Sequence, residues 1–258
     1  VKTLKELFSY REMIYSLVRK DLRGRYKGSM LGFLWTFINP LLQLIIYTIV
    51  FSVILKGGID KFYLFLFVAL VPWIFFSSAV TGGATSIISQ QDMIKKIYFP
   101  RQVMPIAYVT SSFVNMLFTF IVILFVLIFS GVGINLRAFL YLPIIMIIEF
   151  ILALGIAMLS SSLTVYFRDL EHILNIIVMA WMYLTPIMYP IDIVPENYKT
   201  MFNLNPMTPI IIAYRDILYY KRIPQLNTLL HGFILGIIIL LLGILIFAKL
   251  QKKFAEEL

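Results

Sequence analysis

The sequence predicts an all-α protein, a polytopic membrane bundle with six transmembrane helices, and two observations carry that prediction. Hydrophobic residues make up 61% of the chain and charged ones 14%, with a mean hydropathy of +0.93, whereas soluble domains are about half apolar and about a quarter charged. Apolar runs also recur at the length, roughly 20 residues, that crosses a hydrocarbon core about 30 Å thick. Six runs qualify: Phe33–Leu55, Phe62–Thr81, Met104–Ser130, Phe139–Thr164, Ile173–Tyr189 and Leu229–Ala248. They fit one domain, with residues 1–32 as an interfacial helix and hinge, 33–248 as the bundle and 249–258 as a tail.

In the first thirty residues Leu4, Leu7, Phe8, Ile14, Tyr15, Val18 and Leu22 recur at helical spacing with Lys and Arg between them. Ser9 and Glu12 have capping-box spacing. The stretch reads as an amphipathic helix lying in the headgroup region, its basic face toward anionic membrane lipids; a solvated topology signal is the alternative. Gly28, Gly32 and Pro40 forbid one straight helix from Ser9 to Leu55, so a hinge is expected before Trp35.

The second span contains Pro72-Trp73 and ends at Gly82-Gly83. A short amphipathic connection, Gln90 to Arg101, follows with Asp92, Lys95 and Lys96. The third span is nearly featureless. In the fourth, Glu149 lies near mid-bilayer, where a carboxylate costs on the order of 2.5–3.5 kcal/mol on insertion scales and must face the protein, protonated or paired. Two readings stay open for it, a place in a transport path or a neutral carboxyl bonded to a backbone carbonyl. The break from Val165 to His172 then places Arg168, Asp169, Glu171 and His172 between two apolar runs, in water or against another protein. After the fifth span, Pro190 to Thr228 carries five prolines yet is too apolar for a free loop. Met207 to Tyr214 reads as a re-entrant or surface helix. Gly232 and Gly236 in the sixth span form a small-xxx-small pair.

The net charge of +9 is read by side of the membrane, not as a nucleic-acid signal. Of the 22 Lys and Arg residues, fifteen precede the first span, occupy the two charged connections or follow the last span. The opposite connections hold seven, including Lys56, Lys61 and Arg137. Both termini are therefore expected in the cytoplasm, as six crossings require. Cysteine is absent, so neither a disulfide nor a thiolate metal site can form. The charged N-terminal stretch lacks an apolar run with a small-residue cleavage site, so no signal peptide is expected.

No Gly-Lys dipeptide exists for a phosphate-cradling loop, and no serine sits in a Gly-x-Ser-x-Gly context. The two histidines are isolated in sequence, and no metal site is expected. Active transport would need another subunit; a carboxylate-based intramembrane enzyme using Glu149, Asp192 or Asp216 is the alternative. Aromatic residues at span ends form the ordinary interfacial belt. Rings deep in a span can instead face the C–H side of a sugar, and Trp35, Tyr47, Trp181 and Tyr183 are the candidates for such a path.

Four sequence features in register carry a family resemblance: Arg25-Tyr26-x-x-Ser29-x-Leu31-Gly32-x-x-Trp35 with Pro40, Lys95-x-x-Tyr98-Phe99-Pro100-x-x-x-x-Pro105, Phe167-Arg168-Asp169-Leu170, and Asn205-Pro206 with Arg215. The chain resembles the membrane subunit of ABC-2 type polysaccharide exporters, the group with teichoic acid and O-antigen transporters. That resemblance implies a homodimer bound to two copies of a separate ATPase, which binds ATP and Mg; no cofactor is expected in this chain. It implies export of a polymer on a polyprenyl diphosphate across the bacterial cytoplasmic membrane. Asp92, Lys95, Lys96, Arg101, Arg168, Asp169 and Glu171 would then meet the ATPase, and Arg23, Arg25 and Lys27 the lipid diphosphate. Spans one and five would line the dimer channel, and the external segment would gate it. A drug or lipid exporter of the same family and an intramembrane glycosyl- or acyltransferase are the alternatives.

Overall fold

The structure, a computed structural model, describes residues 2–25, 27–54 and 58–257. Tyr26 of the N-terminal motif, Leu55 at the expected end of the first span and the basic Lys56 lie outside the described residues. Helices follow one another without a strand among the described residues: α1 (Lys2–Ser9), α2 (Arg11–Gly24), α3 (Trp35–Thr48), α4 (Phe62–Thr85), α5 (Gln91–Lys96), α6 (Val103–Phe129), α7 (Leu136–Phe139), α8 (Leu142–Thr164), α9 (Leu170–Tyr183), α10 (Glu196–Leu204), α11 (Met207–Leu218), α12 (Leu226–Leu250) and α13 (Phe254–Glu257).

Among the described residues, five stretches are long and apolar enough to cross a membrane, Gly32–Phe51, Phe62–Thr85, Val103–Phe129, Leu136–Thr164 and Leu226–Lys253. They correspond to the expected spans one to four and six. The fifth run differs. Its helix α9 has 14 residues, about 21 Å at 1.5 Å per residue, and the chain then turns through 184–190 with Thr185, Pro186, Ile187 and Met188 buried. Pro186 lacks the N–H that a continuing helix needs, and the Thr185 hydroxyl donates back to the Trp181 carbonyl at 2.8 Å. Length alone thus gives five full crossings and one shorter apolar helix.

The N-terminal segment is two helices, not one. The break falls at Tyr10, which is the N-cap residue of α2 without a side-chain cap bond, so the Ser9–Glu12 capping box is not what starts this helix. The expected hinge is present. Gly28 and Gly32 have φ of 85° and 49°, a region that glycine enters at little steric cost, and a short 3-10 turn at Gly32–Leu34 leads into α3.

α4 is apolar on every side, the pattern of a helix surrounded by protein. In its most apolar 18-residue window 78% of positions are buried, against 17% for the first and last spans. It touches α3, α6, α8, α9 and α11 and forms the axis of the bundle. The partner of α8 is α12, and their backbones come closest at Gly155 and Gly243. A Cβ on Gly155 would stand 2.6 Å from the Leu240 nitrogen. The Gly232–Gly236 pair also faces α8, with more room, since a Cβ on Gly236 would meet the Ile148 carbonyl oxygen at 3.6 Å. Buried Ser160, Ser161, Ser162 and Thr164 in α8 donate to carbonyls one turn back, which satisfies their hydroxyls inside the bundle.

A second, smaller core closes one end of the bundle. Ile87, Ile94, Phe99, Val103, Met104, Met158, Val165, Phe247 and Phe254 form it, with Leu7, Tyr10, Met13, Ile14 and Leu17 of α1 and α2 packed against it. The N-terminal helices, both charged connections and the C-terminal tail therefore meet at the same end.

Candidate functional site

At that end the tail holds the two connections together. Arg101 donates through Nη1 to the Gln251 carbonyl and lies 5.8 Å over the Phe254 ring. From the other connection, the Tyr166 hydroxyl donates to the Leu250 carbonyl at 2.8 Å. Phe254 is fully buried against Phe247 and Tyr166, at centroid distances of 5.6 and 6.2 Å, a burial that contributes about 1.5–3 kcal/mol. On this base Asp92, Lys95 and Lys96 of α5 are exposed, as are Arg168, Asp169 and Glu171 at the start of α9. Arg101 is only partly exposed and belongs to the base. Two large apolar side chains stand out among the charges, Tyr98 at 87% exposure and Phe167 at 66%. A cleft of about 500 Å³ lies beside Tyr98, lined also by Glu6, Lys95, Lys96, Arg101 and Gln251 among others.

The three cations considered for a lipid diphosphate do not converge. Arg25 turns into the bundle, pairs with Asp21 at 2.8 Å and donates to Ser111 and Ser112 at 3.0 and 2.8 Å. Ser111 in turn donates to Asp21. This network locks the end of α2 onto α6. Arg23 and Lys27 point elsewhere and line an open groove with Arg11 and Arg19.

Of the path candidates, Tyr47 and Tyr183 lie near enough to interact electrostatically, while Trp35 and Trp181 have other neighbours. Trp35 borders a polar cleft of about 150 Å³ between α3, α4 and α6, shared with Thr36, Asn39, Ser78, Ser112 and Asn115. Tyr47 is partly buried against the main core, and Tyr183 is exposed at 61%. Trp181 stands edge-on to Phe76 at 5.1 Å, and its indole N–H donates to Asn205 Oδ1 at 2.8 Å. Glu149 is fully buried and accepts a 2.6 Å hydrogen bond from the Tyr214 hydroxyl, with no bond at its second oxygen among the described residues. Its partner is a side chain of α11 and not a backbone carbonyl.

At the opposite end Asn205, Arg215 and Asp216, each legible in the sequence without its partners, form a buttress. Asn205 donates to the Leu184 carbonyl and the Thr185 hydroxyl at 3.0 and 2.9 Å, and its Oδ1 also accepts from the Met207 N–H. Arg215, 3% exposed, donates to the carbonyls of Pro186, Ile187 and Tyr189 at 2.5, 2.5 and 3.2 Å. Its guanidinium lies 3.6 Å over the Phe65 ring. Asp216, also buried, accepts from Arg222 at 2.8 Å and closes the turn into α12. α11 is buried along nearly its whole length. The signal that points to these residues is two adjacent ionisable side chains inside an apolar twelve-residue helix, which must be paired to be there. Among the described residues, no group of three or more His, Cys, Asp or Glu is placed to hold a metal ion.

The chain is a helical membrane bundle that carries two exposed charged connections fixed on a common base. Residues 12–219 match the ABC-2 type transporter family, and the chain belongs to it. It is 33% identical over 260 residues to an O-antigen export system permease protein RfbA of Myxococcus xanthus, with all of both chains covered. An RfbA permease of Klebsiella pneumoniae is 35% identical over 247 residues, covering 96% of this chain and 95% of its own. A polysialic acid transport protein KpsM of Escherichia coli is 23% identical over 207 residues, covering 79% and 80%.

Proposed function

We propose that this chain is the permease of an exporter that moves a lipid-linked polysaccharide of the O-antigen kind across the bacterial cytoplasmic membrane. The observation that carries the reading is the full-length similarity to permeases named for O-antigen export, with a weaker likeness to a polysialic acid transport protein. A polysaccharide is common to both, which favours a sugar polymer over a drug and O-antigen over teichoic acid. The family supports a separate ABC ATPase as the source of energy; that partner would bind ATP and Mg. Two copies of the chain with two ATPases would enclose a polar route, with Trp35, Tyr47, Trp181 and Tyr183 as its candidate sugar-facing rings. Both termini and the end that carries Tyr98 and Phe167 would face the cytoplasm.

A charged, sugar-bearing headgroup cannot cross hydrocarbon unaided, since single charges near mid-membrane already cost several kcal/mol. The reading therefore requires coupling. The test is to reconstitute the chain in vesicles with and without a partner ABC ATPase, add a fluorescent lipid-linked oligosaccharide and ATP, and follow its appearance in the opposite leaflet. Translocation only with both proteins is expected. ATP-dependent translocation by the chain alone, or an active complex with a single copy of it, would overturn the reading.

A further inference from the structure

The outer side of α2 carries two parallel rows. Arg11, Tyr15, Arg19 and Arg23 follow one another four residues apart, continued past the helix end by Lys27, and Ile14, Val18 and Leu22 form the adjacent row, also four apart. Residues at this spacing lie on one face of a helix. Facing the apolar row across a groove of about 770 Å³ are Phe33 and the Thr110, Val114 and Phe118 positions of α6. The lining holds four cations and no carboxylate. Arg11 has Glu12 at 3.6 Å, but among the described residues no acid pairs with Arg19, Arg23 or Lys27. Like charges four apart oppose helix formation by a few tenths of a kcal/mol, so an anion from outside the chain would relieve a repulsion that the protein leaves in place.

We infer that this groove is a binding site for one anionic phospholipid, its headgroup phosphate between Arg19, Arg23 and Lys27 and an acyl chain along Val18, Leu22, Val114 and Phe118. Charge and shape complement such a ligand together: a basic edge for phosphate beside an apolar floor for hydrocarbon. The groove is held open by the other side of α2, where Asp21 and Arg25 are bonded to Ser111 and Ser112. Arg25 and Ser112 of that lock line the cleft between α3, α4 and α6, whose lining shares no residue with the groove's, so a lipid here stays on the outside of the bundle and is not passed inward. The occupant is thus a resident lipid of the leaflet and not the exported carrier. The inference rests on the family and the groove, not on the cargo.

The test is native mass spectrometry of the delipidated full chain in neutral detergent, titrated separately with phosphatidylglycerol, phosphatidylcholine and a short prenyl diphosphate. One tightly retained phosphatidylglycerol per chain is expected, with phosphatidylcholine at least about tenfold weaker. Arg19→Gln with Arg23→Gln should lower retention about tenfold, while Lys252→Gln with Lys253→Gln on the exposed tail should leave it unchanged. Val114→Trp, which fills the floor and keeps every cation, should also lower it, and gives a reading if the double variant does not fold. Equal retention of the two phospholipids, or equal losses in the groove and tail variants, would overturn the site. Prenyl diphosphate displacing phosphatidylglycerol at one-tenth its concentration would overturn the resident lipid in favour of carrier binding.

Discussion

A guanidinium held without a carboxylate is costly to bury, and Arg215 shows how the cost is met. Three carbonyls of the turn after α9 and the face of Phe65 surround it. Hydrogen bonds to charged groups contribute about 1.5–3 kcal/mol, and the planar fork that reaches several acceptors at once has no equivalent in lysine. Arg215→Lys should therefore lower the thermal unfolding temperature in detergent by several degrees and speed proteolysis between residues 190 and 206; unchanged cleavage would show that the clamp does not hold this turn. Glu149 is the opposite case, a carboxyl whose one bond comes from Tyr214. Glu149→Gln keeps an acceptor for that hydroxyl and should change stability by less than about 1 kcal/mol, whereas Glu149→Ala leaves the hydroxyl unsatisfied beside a cavity and should cost about 2–5 kcal/mol. Loss of export in a stably folded Glu149→Gln would instead place the carboxyl in the transport path.

At the scale of elements, long apolar runs were legible because lipid permits little else: α4, α6, α8 and α12 lie where hydropathy puts them. Boundaries set by single side chains were not. Pro186 shortens the fifth run, and the break at Tyr10 has no composition signature. The charged connections were legible as exposed, yet their mutual fixation was hidden, because Arg101 and Tyr166 bond to carbonyls of residues 250 and 251, far away in sequence. Position within the spans singled out the aromatic residues but could not tell that Trp181 is tied to Asn205. Glycine pattern alone singled out Gly232 and Gly236, while the tighter contact, Gly155 on Gly243, is shared between two helices and has no spacing to read. Gly155→Leu should force α8 and α12 apart at a cost of at least about 1–3 kcal/mol, seen as lower unfolding temperature. Gly232→Ala, whose Cβ would meet its nearest neighbour at 3.5 Å, should be near neutral. The reverse order would mean that the helix pair is arranged differently.

For the whole molecule, the position of the charged connections decides how force could enter. Both sit on one end, and the tail joins them through Phe254, so each connection is packed to α6, α8 and α12 through the same core. Arg168, Asp169 and Glu171 stay exposed around Phe167 on this base, a mixture of charge and apolar surface that suits a protein socket better than a lipid surface, where charges of both signs find no common partner. Two changes then separate contact from transmission. Arg168→Glu with Asp169→Arg reverses the socket charges without touching a buried group, so insertion and unfolding temperature should stay as in the parent chain while binding of the ATPase and ATP-driven export fall about tenfold, the effect of about 1.4 kcal/mol. Phe254→Ala removes the bridge and leaves the exposed charges in place; the ATPase should still bind and hydrolyse ATP, with fewer polymers exported per ATP. Both are measured in the same vesicles, as bound ATPase, phosphate release and translocated oligosaccharide. Normal export by the double reversal would move the contact elsewhere, and a proportional fall of hydrolysis and export in Phe254→Ala would make the tail a support for the fold alone.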